Sequence, residues 1–127
     1  MDDDIRRALS RGHRIDITTT GRRTGRPRRI EIVFHNIGGR VFITGRPSRR
    51  TRAWIHNLEA DPRLTFHLKG PVKADLPARA RIVTEDAERR AIFAEVVKTW
   101  TGMDIDTMTE FAPLIEVTFE DVDASAA

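Results

Sequence analysis

Arg14-Ile15-Asp16-Ile17-Thr18-Thr19-Thr20 alternates apolar and polar side chains and is rich in β-branched residues, the period of a half-buried strand. A second run, Arg29 to His35, puts Ile30, Ile32 and Phe34 on one face. Asn36-Ile37-Gly38-Gly39 then supplies the positive φ of a tight turn, and Arg40 to Thr44 returns as a third strand, so these two runs predict a hairpin. Leu64, Phe66 and Leu68 alternate on a fourth strand, with His67 between them facing outward. Val72 to Val83 reads as a fifth strand with Leu76, Ala78, Ala80 and Ile82 on one side, and Pro77 predicts an edge or a bulge there. Leu114 to Phe119 is the sixth.

Helical spacing fills the gaps. Asp2 to Leu9 carries acids in its first turn, where the helix dipole favours them. Arg52 to Ala60 places Trp54 and Leu58 at i, i+4, with Ser48 or Thr51 as candidate cap and Asp61-Pro62 as terminator. Thr84 is the expected cap of an amphipathic helix over Glu85 to Trp100, buried through Ile92, Phe93, Val96, Val97 and Trp100. A further helical turn is expected over Asp104 to Phe111, and the tail DVDASAA reads as frayed. Six mostly antiparallel strands with flanking helices favour a small barrel of α+β, mainly β, class over an open parallel sheet. Without repeat or linker, residues 1–127 read as a single domain.

Composition narrows the chemistry. Cysteine is absent, which excludes disulfides, thiolate metal sites and cysteine nucleophiles and is compatible with the cytoplasm, the expected location. No apolar run approaches the roughly 20 residues of a membrane-spanning helix; peripheral membrane contact stays open. The net charge of +3 hides a division along the chain. Residues 1–21 balance four basic against four acidic side chains, residues 22–52 carry ten arginines against Glu31 alone, and residues 53–127 carry eight basic and fourteen acidic. Charge this local predicts an anionic partner.

Standard catalytic patterns are missing. His13, His35, His56 and His67 form no HExxH or HxH pair, so no metal is expected. His56 reads as solvated. There is no G-x-S-x-G elbow, P-loop or G-x-G-x-x-G fingerprint. What remains is Thr20-Gly21-Arg22-Arg23-Thr24-Gly25-Arg26-Pro27-Arg28 between two strands, and Gly45-Arg46-Pro47-Ser48-Arg49-Arg50-Thr51-Arg52 leading into a helix N-terminus. Glycines let backbone N–H groups approach an anion, hydroxyls donate, guanidinium forks match phosphate or carboxylate oxygens, and helix N-termini favour negative charge. A closed sheet is expected to gather both turns around one ligand carrying several phosphates or a polyanionic tail.

TTTGRRTGRPR, the GG hairpin and AWIHNLEADPRL, in this order, resemble the deazaflavin-dependent nitroreductase family of split β-barrel oxidoreductases that use coenzyme F420. The match falls on Thr19, Thr20, Gly21, Arg22, Thr24, Gly25, Arg28, Trp54, Asn57, Leu58, Ala60, Asp61 and Pro62. The resemblance implies a six-stranded split barrel in which the coenzyme's phosphate and oligoglutamate tail lie in a basic groove. Arg22, Arg23 and Arg28 would hold those charges, with Thr24 and Gly25 as hydroxyl and backbone donors. Thr44, Gly45, Arg46 and Arg50 would pass beside the ring and phosphate, and Trp54 and Asn57 would sit under or beside the coenzyme; Trp54 reads equally as a core aromatic. No side chain need be catalytic: hydride would pass to a small electron-poor acceptor such as a quinone, an enone or unsaturated lactone, or a nitroaromatic. Tyrosine, which nitroreducing members often place over the ring, is absent here. FMN, haem or another anionic ligand on the same barrel is the alternative. Nucleic acid is disfavoured because Phe34, Phe42 and Phe66 occupy core positions of strands rather than a stacking surface. Monomer and homodimer both fit.

Overall fold

In the computed structural model, which describes residues 1–120, six strands close into an antiparallel barrel. The strands are β1 (Arg14–Thr20), β2 (Pro27–Ile37), β3 (Arg40–Thr44), β4 (Arg63–Lys69), β5 (Lys73–Ile82) and β6 (Leu114–Phe119), in the order β1-β2-β3-β6-β5-β4 with β4 returning to β1. The helices are α1 (Asp3–Arg11), α2 (Ala53–Ala60), α3 (Asp86–Thr99) and α4 (Ile105–Phe111). The expected frayed tail, 121–127, lies outside the described residues.

Alternation decides what enters the barrel. Ile15, Ile17, Phe34, Ile43, Leu64, Phe66, Leu76, Ala78, Ile115 and Val117 form the interior, closed below by Leu9 of α1 and by Trp54, Ile55 and Leu58 of α2. Phe34, Phe66 and Phe119 meet edge to face, with centroids 5.2 and 5.1 Å apart. Phe42 and Leu114 join a second cluster with Val83, Ile92, Phe93, Val96 and Met108, packing α3 and α4 on the outside of the wall. The β2–β3 hairpin turns at Gly38 (φ 61°) and Gly39 (φ 88°), the left-handed pair a two-residue loop needs.

Three local expectations are corrected. Pro77 marks neither an edge nor a bulge: it pairs opposite Thr65, and its carbonyl accepts from Glu120 N–H at 3.1 Å. A strand residue turns its nitrogen and carbonyl the same way, so the missing N–H faces the end of β6, where no ladder bond is lost. Glu85, not Thr84, caps α3, its carboxylate accepting from Ala87 and Glu88 N–H. Neither Ser48 nor Thr51 caps α2; Arg52 takes the cap position without a side-chain bond.

Ion pairs lace the outer wall. Lys69 bonds Asp16 and Glu31, Arg29 bonds Asp16, and Arg81 bridges Glu88 and Glu116. The Lys69 ammonium, seconded by Arg29, holds the Asp16 carboxyl below its ordinary range, and Lys69 does the same for Glu31. Arg63 brings Asp61 down to about 2. Burial pushes the His35 imidazole the same way. Each lowered pKa is stability present above the unfolded value and lost as pH falls through the folded one. The urea midpoint should therefore hold above neutral pH, slip below about 6.5 as His35 is forced to charge, and collapse between about 4 and 2. A midpoint independent of pH down to 3 would contradict this.

Candidate functional site

The turn between β1 and β2 is held by its own backbone. Gly21 N–H donates to Arg26 O and Gly25 N–H to Gly21 O, both at 2.8 Å, and Thr24 Oγ1 accepts from Arg26 N–H at 3.2 Å. Gly25 sits at φ 70°. A Cβ on Gly21 would stand 2.9 Å from Thr24 Oγ1 and 3.1 Å from Arg26 O, so the loop closes only over a glycine. The side chains of Arg22, Arg23, Arg26 and Arg28 are exposed.

Asn57 ties this loop to α2. Buried on the helix, it accepts from Arg22 N–H through Oδ1 and donates through Nδ2 to the hydroxyl of Thr19, each at 3.1 Å. Asn57→Leu would leave the Arg22 N–H and the buried Thr19 hydroxyl unpaired, costing about 1–3 kcal/mol each where water cannot replace the bond. Chemical denaturation should show a loss in that range, with faster amide exchange at Arg22. Unchanged exchange there would mean that Asn57 does not hold the turn.

The turn and the start of α2 enclose a cavity of about 660 Å³, lined by Arg22, Arg23, Thr24, Arg28, Trp54 and Asn57 together with Thr19, Pro27, Ile30 and Ala53. Among the described residues its walls carry no carboxylate, and Arg29 is its one arginine with an acidic partner, Asp16 at 2.9 Å. Among the described residues Arg22, Arg23, Arg26 and Arg28 form no ion pair, whereas Arg63, Arg79, Arg81 and Arg90 all do. Acids are available elsewhere on the surface, so the bare charge is a property of this place. The α2 N-terminus adds to it: the first helical bonds run from Ile55 and His56 N–H to Arg52 O, leaving the N–H groups of Ala53 and Trp54 without an acceptor among the described residues. Trp54 is 8% exposed: it packs in the core and also lines the cavity.

The remaining candidates fall elsewhere. Gly25 lines a cavity of about 310 Å³ on the other side of the loop. Thr44 is buried, its hydroxyl donating to Pro113 O at 2.5 Å, and Gly45 packs on the Pro113 ring. The Arg46 side chain is exposed, and its carbonyl accepts from Arg52 Nη2 at 2.9 Å. Arg50 lines a cavity of about 370 Å³ with Ser48, Arg49, Thr51 and Arg52. This second basic cavity shares no wall residue with the first, so barrel closure does not merge the two turns into one pocket. They are neighbours nonetheless: Arg52 lines one and Ala53, next in the chain, the other. Arg52 Nε is buried without a partner, and the Arg49 guanidinium lies 5.5 Å from the Phe111 ring centroid. Thr19 and Ala53 were not among the residues that the sequence assigned to the site, whereas the helix N-terminus was; the empty cap at Arg52 was hidden by the Ser and Thr nearby.

Several solved structures share the fold. The conserved hypothetical protein Rv2991 of Mycobacterium tuberculosis superposes with a TM-score of 0.75 at 19% identity, covering 94% of this chain and 81% of its own. HutZ, the haem-storage protein of Vibrio cholerae, gives 0.67 at 18% identity over 94% and 89%. The F420-H2 dependent reductase FDR-A gives 0.60 at 19% identity over 83% and 93%. The architecture is thus a six-stranded split barrel. Within it, the sequence model of the F420H(2)-dependent quinone reductase family matches residues 3–118, and the chain belongs to that family, whose cofactor is F420H2.

Proposed function

We propose that this protein reduces a small electron-poor acceptor, a quinone first among them, and that it holds the anionic part of F420 between the Gly21–Arg28 turn and the start of α2. The observation that carries the placement is the set of unpaired guanidinium groups, Arg22, Arg23 and Arg28, around the uncapped α2 N-terminus in a cavity free of carboxylates. That donor set fits a phosphate and the carboxylates of a glutamate tail, and it exceeds what the single phosphate of FMN can use.

When bound, the reduced deazaflavin supplies a hydride, and the chain's own residues bind and orient. Arg28 and the Ala53 and Trp54 amides would take the phosphate oxygens, and Arg22 and Arg23 the tail. The flat indole of Trp54 would bound the space beside the ring. The wall offers no carboxylic acid or imidazole, so the proton that follows would come from water.

The test is oxidation of F420H2, followed at its visible absorption, against quinones, enones and nitroaromatics. Turnover fastest with quinones supports the reading. Turnover with none of them, in protein that binds the coenzyme, would remove the acceptor assignment while leaving the site.

A further inference from the structure

A second group of reactive side chains lies on the outer wall, away from the basic cavity. His67 faces outward between Phe66 and Leu68, as alternation requires, yet it is only 8% exposed. Its imidazole spans three adjacent strands. Nδ1 stands 2.6 Å from Asp75 Oδ1 on β5, directly opposite in register, and Nε2 stands 2.7 Å from Thr18 Oγ1 on β1. With Nδ1–H donated to the carboxylate, Nε2 is left as the acceptor of the threonine proton. Hydroxyl, imidazole and carboxylate in this order are the parts of a nucleophile, its base and the group that orients the base.

Thr18 lines the cavity of about 310 Å³ beyond the β1–β2 turn, shared with Thr20, Arg63, Thr65 and Pro77. Thr65 stands opposite Thr18 in the β1–β4 register, and Thr20 follows two residues along the same face. These hydroxyls and the Arg63 guanidinium, two of whose N–H groups Asp61 takes, are the donors of this cavity, which Glu120 also lines.

We infer that Thr18, His67 and Asp75 form a second site that cleaves small activated esters without the coenzyme. Thr18 Oγ1 attacks the ester carbonyl carbon, its proton passes to His67 Nε2, and that proton leaves with the alcohol. Water then attacks the acyl-threonine and gives a proton to the same nitrogen, which passes it to Thr18 Oγ1 as the acyl bond breaks and the acid leaves. One ester and one water become one alcohol and one acid, with no oxidant or reductant. The inference is independent of the coenzyme reading, and either can fail alone.

The experiment uses the purified chain without coenzyme, with p-nitrophenyl acetate as probe and peptide mass mapping of the quenched protein. Expected are release of p-nitrophenol above background, an acetyl group on the peptide containing Thr18, and losses of roughly 100-fold or more in Thr18→Val and His67→Gln, the scale of a removed nucleophile or general base. Asp75→Asn should lose less, its partner being already held by Thr18. Circular dichroism of each variant separates misfolding from lost chemistry, and the acetyl map on the unaltered protein does not depend on any variant. Cleavage equal in Thr18→Val and the unaltered chain, or acetyl groups on lysines and none on Thr18, would overturn the inference and leave the chain of bonds as cement between three strands.

Discussion

Arg28→Ala is expected to weaken F420 binding by about 1.5–3 kcal/mol, roughly 10- to 150-fold in Kd, because a charge-assisted hydrogen bond to an anion is lost. Arg28 lines the cavity beside Trp54 and has no acidic partner among the described residues, so none of these competes for it. The loss should shrink as salt rises, since screening weakens exposed charge pairs. Arg63→Ala is the control. Arg63 is bonded to Asp61 at 2.9–3.1 Å and lies outside the basic cavity, so the same titration should return an unchanged Kd. Equal losses in both variants would mean that the protein attracts F420 through its overall field. No loss in Arg28→Ala would remove that arginine from the anion site.

Arg89→Met should be among the most destabilising substitutions in the molecule. Arg89 of α3 is half-buried, and its guanidinium donates to Thr109 O at 2.8 Å, Val83 O at 3.0 Å, Met108 O at 3.3 Å and Ala112 O at 2.5 Å. Those carbonyls close α4 and join the end of β5 to the start of β6, and the guanidinium also lies 5.3 Å from the Phe93 ring centroid. Methionine fills much of the volume and satisfies none of the acceptors. Hydrogen bonds to a charged donor contribute about 1.5–3 kcal/mol each and are not additive, so a loss of about 3 kcal/mol or more is expected. The urea midpoint measures it. Arg90→Met, one residue away, removes only an exposed pair with Asp106 and should cost far less. If the two variants lose the same amount, the carbonyl cluster is not what holds α4 in place.

The strands were legible because a closed antiparallel barrel buries one face of each, and Ile15, Ile17, Phe66 and Leu68 carry that period plainly. Where charge does the holding, local pattern says little. Arg89 reads as one more arginine on a helix surface, and the four carbonyls that claim it come from two stretches of chain, Val83 and residues 108–112. The site was legible in part for the same reason. The Gly-Arg turn announces itself by composition, and the family motif picks out Trp54 and Asn57, but that Asn57 works through the Arg22 N–H is a consequence of how α2 packs under β1. Thr44 illustrates the reverse. It stands at a strand end beside basic residues, as a ligand-binding hydroxyl would, yet the chain itself takes its proton through Pro113 O. Caps were misread at α2 because Ser48 spends its hydroxyl on Arg50 N–H, a bond between near neighbours that sequence spacing allows equally well.

The most direct test of the account is titration of the purified protein with oxidised F420, read by quenching of Trp54 fluorescence against a Trp100→Phe background, with FMN in parallel at the same ionic strength. Trp54 stands in the cavity wall, and Trp100 lies elsewhere, its ring 5.8 Å from that of His35. Saturable quenching by F420, weaker with FMN and weakened again in Arg28→Ala, is the predicted result. Quenching by FMN as tight as by F420, or none by either, would contradict the assignment of the Gly21–Arg28 turn and the α2 N-terminus to the deazaflavin coenzyme.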